Sequence, residues 1–151
     1  MFAALAVMAA SCGRTARIEG TVADAPSSKL VVKALDVNRY QVLDTVSTDA
    51  SGRFTYKVEL EKGQPEFVYV YRNGVKLASL LLAEGDKVTV NADTLGHWTV
   101  EGSEECAKLA QIEADYAAAL KVMTAAEHVE FVKEYVKYYR DRVKYVMSNP
   151  F

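Results

Sequence analysis

The chain has 151 residues, with 18 basic and 20 acidic side chains and a formal net charge of −2. Half of it is hydrophobic and a quarter is charged, which is the composition of a folded domain and not of a disordered segment. The lack of a basic excess speaks against nucleic acid as a partner, and two cysteines with two distant histidines exclude a disulfide scaffold and speak against a histidine-rich metal site.

Residues 2–10 read FAALAVMAA, an unbroken apolar run. A bilayer-spanning helix needs about 20 apolar residues, whereas the apolar core of a secretory signal needs about 7–15. The run therefore predicts export. Ala9-Ala10-Ser11-Cys12-Gly13 comes next. Small residues ahead of a cysteine resemble the lipobox of bacterial lipoproteins. That resemblance implies a signal peptide over residues 1–11, cleavage before Cys12, acylation of its thiol, and a tether over residues 12–15. The expected address is the cell envelope of a Gram-negative bacterium, on a periplasmic or outer-membrane surface. Cys106 would then be the one thiol left free.

Residues 16–102 read as a β domain. Ile18, Gly20 and Val22 alternate with polar residues, and a Pro26-Ser27-Ser28 turn leads into a strand over 30–35. A third strand is expected over 42–46. After the turn at Asp49-Ala50-Ser51-Gly52, Phe54, Tyr56, Val58 and Leu60 fall on every second residue. Phe67-Val68-Tyr69-Val70-Tyr71 is rich in strand-favouring residues. Asn73-Gly74 signals a tight hairpin, because a type I′ turn needs positive φ at both central residues. A strand over 75–82, a turn at Glu84-Gly85-Asp86, alternation at Val88 and Val90, and a strand over 98–101 complete the series. Gly52, Gly74 and Gly85 read as turn glycines. About seven to eight strands at this spacing predict a mainly β protein with an antiparallel sandwich.

Residues 103–151 read as two helices. Ser103 followed by Glu104 and Glu105 suits a helix start, and 106–123 lacks Gly and Pro. Thr124-Ala125-Ala126-Glu127 has the form of a capping box, so a second helix begins there and ends before Asn149-Pro150. Val129, Val132, Val136, Tyr139, Val143 and Val146 recur in steps of three and four, a heptad seam. Phe131, Tyr135, Tyr138 and Tyr145 widen it. Such a seam predicts a coiled-coil pairing or, as the simpler expectation, packing of this face on the rest of the same polypeptide. Lys133, Lys137, Arg140, Arg142 and Lys144 read as a solvated basic face.

The order of these signatures is itself informative. Ile18-Glu19-Gly20-Thr21-Val22, Leu43-Asp44-Thr45-Val46 and Gly52-Arg53-Phe54-Thr55-Tyr56 are followed by 82–90 (LAEGDKVTV) and Val100-Glu101-Gly102-Ser103. Behind a lipobox, this order resembles the domain of unknown function 4369. In that family the β domain precedes a helical linker and a thioredoxin-like domain of the ResA/TlpA type, a thiol–disulfide oxidoreductase. The sequence at Ser148-Asn149-Pro150-Phe151 resembles the linker just before that domain. The resemblance implies a partner with thioredoxin-like chemistry. It places no catalytic residue in residues 1–151, which hold no Cys-x-x-Cys pair.

Four groups of residues are candidates for chemistry. Cys106 near a helix start is expected to be a packed structural thiol sooner than a reactive one. Asp44, Asp49, Glu84, Asp86 and Asp93 are expected to form turns sooner than to ligate calcium. Tyr69, Tyr71 and Trp98 are a candidate binding face for a peptide or glycan, but Tyr69 and Tyr71, alternating with Val68 and Val70, are expected to fill the sandwich core. His97 and His128 join no triad or metal spacing. No metal or cofactor is expected. The leading functional expectation is a lipid-anchored accessory module without catalysis of its own, docking a redox domain through the seam. The alternatives are a stand-alone binding module that uses the aromatic face, and an enzyme whose site only the fold would assemble.

Overall fold

A computed structural model describes residues 14–61, 63–125 and 128–149. The expected signal peptide, the expected lipidation residue Cys12 and the first part of the expected tether lie outside the described residues. Alternation builds the strands. In β1 (Thr15–Val22), Ala16, Ile18, Gly20 and Val22 are buried while Arg17 and Glu19 are exposed. The same two-residue period runs through β2 (Lys29–Asp36), β4 (Arg53–Glu59) and β7 (Lys87–Ala92). The remaining strands are β3 (Arg39–Ser47), β5 (Glu66–Arg72), β6 (Val75–Leu82) and β8 (Trp98–Glu101).

The eight strands form two four-stranded sheets. One has the order β4-β1-β7-β8 and the other β3-β2-β5-β6. The expected mainly β sandwich followed by two helices is present. All pairings are antiparallel but one: β1 and β7 run parallel, with Ile18 opposite Val88. A parallel pair needs a long crossover, and here the whole second sheet lies between the two strands in sequence. Ile18, Val58, Val88 and Val90 from the first sheet meet Leu30, Val32, Val68, Val70 and Leu80 from the second in one core cluster. Each such side chain stabilises the fold by roughly 1.5–3 kcal/mol through loss of water contact.

Two turns fix the hairpins of the second sheet. Asn73 and Gly74 both have positive φ, 48° and 83°, as the Asn-Gly signature requires. The hairpin between β2 and β3 closes with Asp36 opposite Arg39, and its first central residue, Val37, has a φ of 53°. Here the structure departs from the sequence reading: β3 starts at Arg39, three residues before the expected 42. A Val-Asn pair is not a usual turn signal, so the strand start was masked.

The expected core placement of Tyr69 and Tyr71 is overturned. Val68 and Val70 are fully buried, whereas Phe67 is exposed and the two tyrosines are half-buried on the outer side. The register explains it. Lys33 stands opposite Tyr69 on β2, and an ammonium group cannot enter the core without a large desolvation cost. The tyrosines share its face and stay outside with it.

Helix α1 (Glu104–Ala125) starts directly after Ser103, as the Ser-Glu-Glu signal implied. The Ser103 hydroxyl accepts the Cys106 N–H at 3.4 Å, and Glu104 and Glu105 occupy the first turn. Helix α2 spans His128–Ser148. The second helix does not begin at Thr124 as its capping-box pattern implied: Thr124 belongs to the last turn of α1, where its hydroxyl donates to Leu120 O at 2.9 Å, while the rest of the box beyond Ala125 lies outside the described residues. At the far end, the Asn149 N–H and Nδ2 both donate to Tyr145 O, at 3.1 and 2.8 Å, and close the last turn. The chain divides into two compact units between Ala107 and Lys108. Among the described residues no helix is long and apolar enough to cross a membrane.

Candidate functional site

The outer face of the β3-β2-β5-β6 sheet carries an aromatic cluster. Tyr40 projects from β3 and meets Tyr69 edge-on with ring centroids 5.2 Å apart, and Tyr71 at 6.3 Å. Lys33 places its ammonium 4.4 Å from the Tyr71 centroid, a cation–π contact. Tyr40 remains exposed. The sequence reading named Tyr69 and Tyr71 but missed Tyr40, because the start of β3 was hidden by the Val37-Asn38 turn.

Trp98 does not belong to this cluster. On β8 it pairs with buried Ala92 of β7 and packs, half-buried, against the core from the other sheet. Strand alternation puts it on the inner side of its sheet, while the tyrosines lie on the outer side of theirs. The three residues therefore do not form one platform.

The acidic residues of the strand ends are engaged locally. Asp49 Oδ1 accepts the Ser51 and Arg53 N–H groups, and its Oδ2 accepts Arg53 Nε at 3.0 Å. These backbone donors hold its carboxyl below the usual carboxylate range. Asp93 does the same in the loop before β8. Its Oδ2 lies 2.7 Å from His97 Nδ1 while Oδ1 accepts the Leu95 and His97 N–H groups, and the imidazole contact lowers its pKa most. Asp86 Oδ2 accepts the Ala83 N–H, and Asp44 Oδ1 the Thr45 N–H. Among the described residues no group of three or more potential ligands converges on a point that could hold a metal.

Cys106 is fully buried and its Sγ donates to Leu81 O at 3.3 Å. Burial pushes its pKa up, more than the Ser103 and Leu81 hydrogen bonds pull it down. It is a packed thiol that ties the first turn of α1 to β6. The side chain of His128 lies outside what is described.

In the helical unit the two faces of α2 have different fates. Tyr138, Asp141 and Tyr145 line a cleft of about 440 Å³ with Gln111, Ile112 and Asp115 of α1. The rings of Tyr116 and Tyr138 are 5.9 Å apart across the hairpin. At 3.6 residues per turn, the heptad seam falls on nearly the opposite side. Its residues are exposed, from 46% at Val132 to 65% at Val129. Within the helical hairpin the seam therefore does not face α1. The hairpin closes through Tyr138 and Tyr145 instead, because their larger rings reach across to α1.

The family model described as domain of unknown function (DUF4369) matches residues 16–109, well over half of the chain. That span holds all eight strands except the first residue of β1, and ends within α1. No curated protein matches the sequence.

Proposed function

We propose that this chain, which belongs to the DUF4369 family by that match, is a non-catalytic, lipid-anchored module that positions a thioredoxin-like thiol–disulfide oxidoreductase domain in the cell envelope. The observation that carries this reading is the exposed seam of α2. Val129, Val132, Val136, Tyr139, Val143 and Val146 leave a continuous apolar stripe in water, and such a stripe is stabilised by a partner that covers it. Cys106 supports the non-catalytic part, since a buried thiol with a raised pKa is a poor nucleophile. Acylated Cys12 would hold the sandwich against the membrane. Two residues, Gly13 and Arg14, separate it from the start of β1, a reach of roughly 10 Å when extended.

Two measurements test this. The intact mass of the native protein from its source membranes is expected to show an acylated Cys12 as first residue; an unmodified chain starting at Met1 would overturn the anchor. The full chain is expected to bind a purified thioredoxin-like domain from the same source. Val136→Glu with Val143→Glu should weaken that binding at least tenfold. Equal binding by both proteins would overturn the docking role.

A second reading rests on the Tyr40, Tyr69 and Tyr71 cluster: a binding module for a peptide or glycan. Tyr40 supports it, because its ring stays exposed beside Tyr69 and Tyr71. Under this reading a Tyr40→Ala change abolishes ligand-induced shifts of the Tyr69 and Tyr71 amides in a titration with peptidoglycan fragments. Shifts that survive the change would sink it.

A further inference from the structure

The outer face of the β4-β1-β7-β8 sheet has an unexpected row of like charges. Arg17 stands opposite Lys57 on one side and opposite Lys87 on the other. All three are exposed and alternate with buried Ile18, Val58 and Val88, so their side chains leave the same face. Neighbouring strands are about 4.8 Å apart, and like charges directly opposite one another destabilise a sheet. Nothing in the fold requires them, since threonine would serve the strands better, as it does in the next row at Thr55 and Thr89.

Local pairing relieves the repulsion only in part. Arg17 Nε reaches Glu19 Oε1 at 2.7 Å. The Lys57 and Lys87 side chains have no ion pair or hydrogen bond among the described residues. The three cations line a shallow pocket of about 290 Å³ together with Thr15, Thr55 and Asp86. The Asp86 carboxylate accepts the Ala83 N–H within its own turn. Among the lining residues three cations face one carboxylate, Asp86, with two hydroxyl groups beside them, while Glu19 and Glu59 flank the pocket on the same face.

We propose that Arg17, Lys57 and Lys87, with the Thr15 and Thr55 hydroxyls, form a binding site for a phosphate group. A phosphate offers several acceptor oxygens to donors arriving from three strands, and charge-assisted hydrogen bonds to it are the strong kind. Its charge turns the like-charge row from a cost into a clamp. The phosphate is that of a lipid headgroup or of a soluble ester. The site itself does not depend on the docking role proposed above. Only its lipid source rests on the Cys12 anchor, which would leave the pocket beside the bilayer because β1 begins there.

The test titrates inorganic phosphate and pyrophosphate into the full chain while amide shifts are followed. A second arm sediments the full chain with vesicles of phosphatidylcholine, with and without phosphatidylglycerol. Shifts are expected at Thr15, Arg17, Thr55, Lys57 and Lys87. The Lys57→Gln and Lys87→Gln changes together are expected to weaken binding by about tenfold per lysine while the thermal midpoint holds or rises. In the vesicle arm the difference between the two chains is read, so that binding through the apolar leader or anchor cancels. Phosphate binding without a phosphatidylglycerol preference supports the site with a soluble ester as ligand. A phosphatidylglycerol preference lost in the double variant supports it with a lipid headgroup as ligand. Equal behaviour of wild type and variant in both arms overturns the proposal, whatever becomes of the docking role.

Discussion

The ring of Phe54 on β4 lies directly over Gly20 on β1, its cross-strand partner. A Cβ placed on Gly20 would run into Cε1 and Cζ of that ring. The glycine is thus a packing residue inside a strand. Gly20→Ala is expected to destabilise the protein by roughly 1–3 kcal/mol through overpacking, despite the better strand propensity of alanine. Urea unfolding checks this. Gly20→Ala combined with Phe54→Leu should recover part of the loss, whereas independent effects would add.

Val37 pays for the β2–β3 hairpin. At a φ of 53° a β-branched side chain is strained, and the first central position of a two-residue loop favours glycine. Val37→Gly is expected to raise stability by about 1 kcal/mol. Val37 is almost fully exposed, so no packing is lost. A lower unfolding midpoint would contradict the strain argument.

The seam and the core respond oppositely to polar or truncating changes. Val136→Gln and Val143→Gln remove exposed apolar surface, and each is expected to shift stability by no more than about 0.5 kcal/mol. Leu80→Ala opens a cavity between the two sheets, where Leu80 is fully buried, and should cost roughly 2–5 kcal/mol. Denaturant midpoints of the three variants distinguish a docking seam from a structural one.

Acid stability should depend on Asp93 and Asp49, whose folded pKa values are both lowered. For a depressed carboxylate the stabilisation is present above its unfolded pKa and is lost as pH falls through the folded one. The loss is therefore expected below the ordinary aspartate range, with neutral pH unaffected. Asp93→Asn and Asp49→Asn should each flatten the acid limb of a plot of unfolding midpoint against pH. An unchanged acid limb would show that the turns do not need the charge.

Cys106 is expected to resist alkylation at neutral pH until the protein unfolds, since its thiol is buried and its pKa raised. Iodoacetamide labelling mapped by peptide mass separates this residue from Cys12. Rapid labelling of Cys106 in native protein would revive a redox role for it.

Much of the fold was legible because strand formation is a local, period-two pattern. Phe54, Tyr56 and Val58 face inward as their alternation implied, and Asn73-Gly74 turned where its positive φ values allow. The functional surfaces were less legible. Alternation in β5 says that Phe67, Tyr69 and Tyr71 share a face, but either face satisfies it. Only the pairing with Lys33 on β2 chose the outer one.

The sequence by itself determined the sandwich, the two helices, the turn glycines and the apolar seam, because each is written in residues close together in the chain. Tertiary structure alone decided which residues from distant strands became neighbours. It separated Trp98 from the tyrosines and added Tyr40 to them. It also set Arg17 between Lys57 and Lys87 by placing β1 between β4 and β7. Cross-strand register is a long-range relation, fixed by the burial of whole faces at once, and no local spacing encodes it.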